Sequence, residues 1–339
     1  MKKDLTISYL HTTPAPPFDG TDAVHNEVDR LAAHFNGTIT NLYPFRRPSS
    51  LLPRALYGWH RLSRLRALDQ HQTVHHVFSP TLAFYPVLNH LRRPIVFSVS
   101  ANVGSKRPAN IRHMKKWGRI IVSNLRDFDR LNSWGFSNSE VVLPGIDLSG
   151  FFRLPQPPPG KFTLLLASAP WEKKQFETKG IDLLLETVRA MPEIKLILLW
   201  RGLYINDLRQ MVDGLNLASQ VEIIDRKMNV REIMERTHVT VLLAKEAGLV
   251  KAFPHSLIES LASGRPVILS DSIPMADYVL KHECGLVIDN FTVEALLRSI
   301  DGIIHHYGEL ANKIPEDLPD QFSIKRMMDH LSQIYRSIV

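Results

Sequence analysis

The chain has 339 residues, enough for two domains that each bury a core. With 44% apolar and 22% charged residues it reads as a water-soluble globular protein, and no apolar run of about 18 residues is present, so no transmembrane helix is expected. The net charge of +7 is uneven: residues 1–150 carry 19 Lys and Arg against 10 Asp and Glu, and residues 151–339 carry 22 against 24. The first half therefore expects an anionic partner such as a membrane surface, a phosphorylated acceptor or nucleic acid.

The N-terminal residues run straight into a strand-like segment at 5–10, without the long apolar region of a signal peptide. A Pro-rich turn (Pro14, Pro16, Pro17) and Asp19-Gly20-Thr21 follow, then a helix with Val24, Val28, Leu31 and Ala32 on one side. This is one βα unit, and Gly20 would let a ligand approach the backbone or would serve merely as a turn glycine. Alternation continues with strands at 38–43, 74–78, 95–99, 119–123 and 140–143 and helices at 51–68, 82–91 and 125–134. Strand-helix alternation predicts a parallel sheet covered on both faces. Residues 51–68 set Leu51, Leu52, Leu56, Trp59, Leu62 and Leu65 against Arg54, Arg61, Arg64 and Arg66. That pattern fits either a basic interfacial helix on an anionic membrane surface or a domain helix with a solvated Arg face.

Four prolines within 155–159 mark a linker over 148–160. The second half repeats the alternation, with strands at 162–167, 194–199, 221–224, 239–243, 265–270 and 285–288. Helices are expected at 179–190, 205–215, 229–236, 256–262, 275–281, 293–305 and 322–338. The helix after Pro254 opens on the backbone N–H groups of His255 to Leu257, an anion cradle, and Glu259 follows one turn later. Two such domains are expected to face each other across a cleft at the carboxyl ends of their strands, where ligands of open α/β sheets bind. The single Cys284 excludes an intramolecular disulfide and fits a reducing compartment. The histidines show no zinc-protease spacing, so no metal is expected.

Four stretches, in order, resemble the GT-B glycosyltransferases of the large retaining family 4, the glycosyl transferases group 1. Val141 to Asp147 (VVLPGID) is similar to the family's vIPNGVD, and Lys179-Gly180 with Ile181-Asp182-Leu183-Leu184 to its KG helix start. Phe253 to Ile268 (FPHSLIESLASGRPVI) is close to its F-P-x-S-L-x-E run, and the closing helix from Phe322 to Tyr335 resembles the one that crosses back onto the first domain. The resemblance implies two Rossmann-like doubly wound domains: an acceptor domain over 1–147, a donor domain over 161–320 and a returning helix over 321–339. It also implies a metal-independent hexosyltransferase that moves sugar from an NDP-sugar to a saccharide or lipid-linked hydroxyl with retention. Such an enzyme would be cytoplasmic, or peripheral on the inner face of the membrane, and would serve cell-envelope polysaccharide synthesis.

By position, Glu259 would accept from the ribose diol, Lys179 would meet the donor phosphates, and Phe253, Pro254, His255, Ser256 and Leu257 would line the donor. Gly20 would approach the diphosphate and Arg226 the base, while His25, Ser100 and Asn102 would fall on the acceptor side. Three places depart from the family. Lys251 stands where the first of two glutamates is usual, Ser168-Ala169-Pro170 where a basic residue is common, and Ser100 where a His is common. Lys173 or Lys174 is expected to reach toward the gap at 168–170. Lys251, placed with the catalytic residues Lys179 and Glu259, either pairs with a carboxylate-bearing sugar or marks a catalytically weak partner subunit of another transferase. The basic half lacks the aromatic-interleaved strand and zinc-finger spacing of nucleic-acid binders, so nucleic acid is not the expected partner.

Overall fold

The computed structural model describes residues 5–15, 22–45, 52–157, 160–200 and 203–339. Gly20 lies outside the described residues. The chain divides into two compact units, one of residues 1–145 with 324–339 and one of residues 146–323.

The first unit is built from β1 (Ile7–His11), α1 (Ala23–His34), β2 (Thr38–Asn41), α2 (Leu62–His71), β3 (Val74–Thr81) and β4 (Ile95–Asn102). These are followed by α3 (Ile111–Met114), β5 (Arg119–Val122), α4 (Leu125–Ser133) and β6 (Ser139–Val141). Its strands pair in parallel in the order β2-β1-β3-β4-β5-β6. Period-two alternation explains why both faces are covered. Ile7, Tyr9, Val74 and Val96 pack with Val28 and Leu31 of α1, while Leu10, Val77, Phe97 and Val99 pack on the other face with Leu65, Leu88 and Trp117.

The second unit contains β7 (Phe162–Leu166), α5 (Gln175–Thr178), α6 (Ile181–Arg189), β8 (Ile194–Leu199), α7 (Ile205–Gly214) and β9 (Val221–Ile224). It continues with α8 (Val230–Glu235), β10 (Val239–Leu242), α9 (His255–Ala262), β11 (Val267–Ser270), α10 (Ala276–His282), β12 (Gly285–Ile288), α11 (Val293–Asn312) and α12 (Leu318–Gln321). Its parallel order is β12-β11-β10-β7-β8-β9. The last helix, α13 (Ile324–Ser337), belongs to the first unit. There Met327, Met328, Leu331, Ile334 and Tyr335 complete the face that α1 half covers. His76 sits 2.6 Å from Tyr335 through Nδ1 and 2.7 Å from Ser98 Oγ through Nε2, so the buried imidazole is satisfied on both sides.

Residues 151–157, read as linker, pack on the second unit. Leu154 is buried and its N–H donates to Ser263 O, and the buried Arg265 guanidinium donates to Pro155 O at 2.6 Å and Met234 O at 3.2 Å.

Three expectations need correction. The helix over 51–68 is instead two short 3-10 turns, Arg54–Leu56 and Trp59–Arg61, and then α2. Pro53 and Gly58, the latter at φ 83°, break the run, and Leu51 lies outside the described residues. Arg54, Arg61, Arg64 and Arg66 are all exposed, with Leu56 (48%) and Trp59 (40%) beside them, but not as one helical face. The helix over 82–91 is only a 3-10 turn, Pro86–His90, because Pro86 keeps Tyr85 extended. The strand over 95–99 runs on to Asn102, so Ser100 and Asn102 lie within it rather than after it. Among the described residues no helix is long and apolar enough to cross a membrane.

Candidate functional site

In the second sheet, β7 continues to β8 and β9 on one side, while β10 to β12 lie on the other. The strand order reverses between β7 and β10, and open α/β sheets bind ligands at the carboxyl ends beside that reversal. Two segments emerge there: residues 167–180 after β7, and residues 243–256 after β10.

The first segment buries a lysine. Phe176 packs against Trp200 at 5.5 Å and anchors α5. Gly180 then turns the chain at φ 62°, where a Cβ would come within 2.7 Å of Phe291 Cζ, so glycine is required. Lys245 N donates to Thr178 O at 2.8 Å and ties this turn to the end of β10. The turn drives Lys179 inward until 5% of it is exposed. Its Nζ faces Ala169 O at 3.3 Å and Ser168 Oγ at 3.4 Å, both neutral and both long. No carboxylate among the described residues pairs with it, and burial pushes the ammonium down to about 8.

The second segment is held by Met275 N donating to Ala252 O and Ala244 N donating to Ser270 Oγ. Phe253 is buried against Phe322 and Tyr278. Leu257, Ile258 and Leu261 root α9 in the core. Pro254 at its N-cap brings no side-chain acceptor. The first N–H groups to bond back are those of Leu257 and Ile258, both to Pro254 O. The amides of His255 and Ser256 precede them at the opening of the helix, where anions are favoured. Leu257, expected at the donor, instead has its side chain in the core and its amide bonded to Pro254. Glu259 is half-buried one turn on, and Lys251 is half-buried in the loop.

The structure thus brings Lys179, the 168–169 turn and the opening of α9 to the ends of two adjacent strands. It does not bring Lys173, whose Nζ is 2.7 Å from Asp207 Oδ1 on an exposed surface. Lys174 is exposed at the start of α5, and Arg226 is exposed past the edge strand β9, two strands or roughly 10 Å from β7. The gap read at 168–170 is filled by Lys179 itself, which sequence spacing did not show because the residue returns over eleven positions. In the first unit, Ser100 Oγ donates to Ser79 O at 3.4 Å and Asn102 Oδ1 accepts from Gly104 N at 2.8 Å. His25 donates through Nδ1 to Asp22 Oδ1 at 2.9 Å and stacks on His11 at 4.2 Å. His11 ends β1, the strand beside the order reversal of the first sheet. Among the described residues no group of three or more His, Cys, Asp or Glu is arranged for a metal.

Residues 173–317, which include Lys179 and α9, match the family model described as glycosyl transferases group 1. Over 164 residues, 48% of this chain and 47% of the relative, the chain is 26% identical to the lipopolysaccharide core biosynthesis glycosyltransferase LpsE of Rhizobium meliloti. Over 119 residues, 33% of this chain and 12% of the relative, it is 28% identical to an exopolysaccharide phosphotransferase of Streptomyces coelicolor. The chain thus matches half or less of the length of these curated relatives. Among solved structures, Anabaena HepE in complex with UDP superposes with a TM-score of 0.72 at 13% identity, covering 98% of this chain and 100% of that one. At that identity the likeness concerns the fold: two doubly wound parallel-sheet domains, the GT-B fold.

Proposed function

We propose that the chain is a retaining glycosyltransferase that moves a sugar from an NDP-sugar to a hydroxyl of a saccharide or lipid-linked acceptor in envelope polysaccharide synthesis. The observation that carries this reading is the Lys179 ammonium, buried without a carboxylate among the described residues where the strand order reverses. A buried cation facing only neutral oxygens lacks an anion. A donor diphosphate supplies it, with the amides of His255 and Ser256 receiving the remaining oxygens. The match of residues 173–317 to the group 1 family model and the LpsE relative support the reaction class, and the UDP bound to HepE supports a nucleotide ligand.

In this reading Lys179 and the helix opening stabilise the leaving diphosphate, and Glu259 holds the ribose diol. Since they supply the charge neutralisation, chelation leaves turnover unchanged. The departing phosphate oxygen takes the acceptor proton, so the anomeric configuration is retained. Lys251 sets donor choice by favouring a carboxylate-bearing sugar, and the exposed Arg54, Arg61, Arg64 and Arg66 with Leu56 and Trp59 favour contact with an anionic lipid surface.

A panel of UDP-, GDP-, dTDP- and ADP-sugars, uronic acids included, tests this by thermal shift and turnover. One donor is expected to stabilise the chain. Glu259→Ala and Lys179→Ala are each expected to lower turnover about 100-fold, the scale of one lost transition-state contact. Lys251→Glu is expected to change the preferred sugar. A chain stabilised by an NDP-sugar but without turnover supports the second reading, a partner subunit, which the charge reversal at Lys251 favours.

A further inference from the structure

Several cations of the second unit meet a carboxylate. Lys173 meets Asp207, Lys195 and Arg236 share Glu222, Arg209 meets Asp225, Lys245 meets Glu177 and Lys313 meets Glu283. The connection between β4 and β5 in the first unit behaves differently. Lys106, Arg107, Arg112, Lys115 and Lys116 are all exposed within eleven residues, and none has a carboxylate within ion-pair distance among the described residues. Arg119, which ends the segment, is the one that finds a partner, Glu140 at 3.2 Å. The stripe starts just past Asn102, where Gly104 N is held by Asn102 Oδ1 and Gly104 O accepts from Arg130 at 3.1 Å. It continues over α3 toward the start of β5. Five exposed like charges within eleven residues repel one another, and a bound polyanion relieves that repulsion.

The segment also shows which polyanion fits. Its apolar residues, Ile111, Met114 and Trp117, are all buried, and Trp117 stacks on Phe97 at 4.6 Å. No large apolar side chain is exposed between residues 104 and 119 to enter a bilayer. The exposed ring of the segment, the His113 imidazole, packs on Phe84 at 5.2 Å, and no exposed Phe, Tyr or Trp is offered to stack on bases. What is left is a cationic, hydrophilic stripe leading away from the carboxyl end of β4.

We propose that this stripe binds an anionic saccharide chain, bearing carboxylate or phosphate groups, as the acceptor of the transfer. Its role as acceptor site rests on the transferase reading above; its binding of a charged saccharide does not.

Binding is measured with a labelled oligogalacturonate of defined length, its neutral methyl ester, phosphatidylglycerol vesicles and a random single-stranded oligonucleotide. The full chain is expected to bind the oligogalacturonate at least about tenfold more tightly than the ester, and less tightly as salt is added. Replacing all five cations by serine is expected to weaken that binding about tenfold, the summed effect of five exposed ion pairs, with the unfolding midpoint and donor binding unchanged. A second variant, Lys106→Arg with Lys115→Arg and Lys116→Arg, keeps the charge and is expected to keep the binding. Equal affinity for charged and neutral saccharide overturns the proposal. So does a five-serine variant that binds like the original, or tighter binding to vesicles or oligonucleotide that depends on the same five residues. Loss of donor binding with saccharide binding intact would instead remove the transferase reading and leave the stripe standing.

Discussion

Lys179 has a pKa lowered from 10.5 to about 8 by burial, so between those values the folded chain holds fewer protons than the unfolded one. Stability of the ligand-free chain is therefore expected to rise as pH climbs from about 8 to 10.5, and below 8 the buried charge costs about 3 kcal/mol. Under the proposed function, a bound diphosphate would reverse the balance by holding the proton on Nζ. Nucleoside diphosphate affinity is then expected to be flat below about pH 8 and to fall toward tenfold per pH unit above it, as read by calorimetry. Lys179→Met separates the two effects, because it should raise the urea midpoint while weakening the diphosphate and abolishing that pH dependence. A midpoint that drops instead would mean that the ammonium is already satisfied within the fold. Sequence position assigned this residue to the phosphates through the KG pair. It did not reveal the burial, which arises from the packing of Phe176 on Trp200 and from the turn at Gly180.

At the scale of elements, Gly180 is where backbone and site depend on each other. Gly180→Ala places a Cβ against Phe291 and Leu243 in a left-handed conformation, and is expected to cost about 1–3 kcal/mol in denaturant unfolding and to weaken donor binding by displacing Lys179. The strands were the most legible part of the sequence. The runs Ile194–Leu199, Val221–Ile224 and Gly285–Ile288 lie where the apolar pattern puts them, because a buried parallel strand is a short apolar run and little else. Helices were legible where caps and period agreed, as in α8 with Asn229 as its N-cap. They failed at 51–68 and 82–91, where leucine spacing outweighed Pro53, Gly58 and Pro86 in the reading although those residues decide the backbone. Within the site, α9 was legible because the helix, its stop and the following strand are contiguous. The partners of Lys179 were not, since Ser168 and Ala169 meet it only through the loop geometry.

Viewed whole, the molecule is one continuous unit set within a discontinuous one. Residues 146–323 form the second unit, and residues 324–339 return to the first. The approach is close: a Cβ at Gly145 would lie 2.8 Å from Ile324 Cα, so the strand of chain leaving the first unit leaves room for the one coming back. Removing residues 324–339 is expected to uncover Ile7, Tyr9, Val74 and Val96 and to orphan His76 Nδ1, lowering the melting transition of the first unit and leaving that of the second in place. Tyr335→Phe tests the hydrogen bond alone, with an expected loss of about 1–3 kcal/mol. This arrangement also has a consequence in time. On the ribosome the second unit can close its core as soon as residue 323 is clear of the exit tunnel, whereas the first unit, though made earlier, must wait with one apolar sheet face exposed for the last sixteen residues. The half of the protein synthesised first is thus the last to mature, and a nascent chain stalled before residue 324 would present that face to chaperones and to other chains.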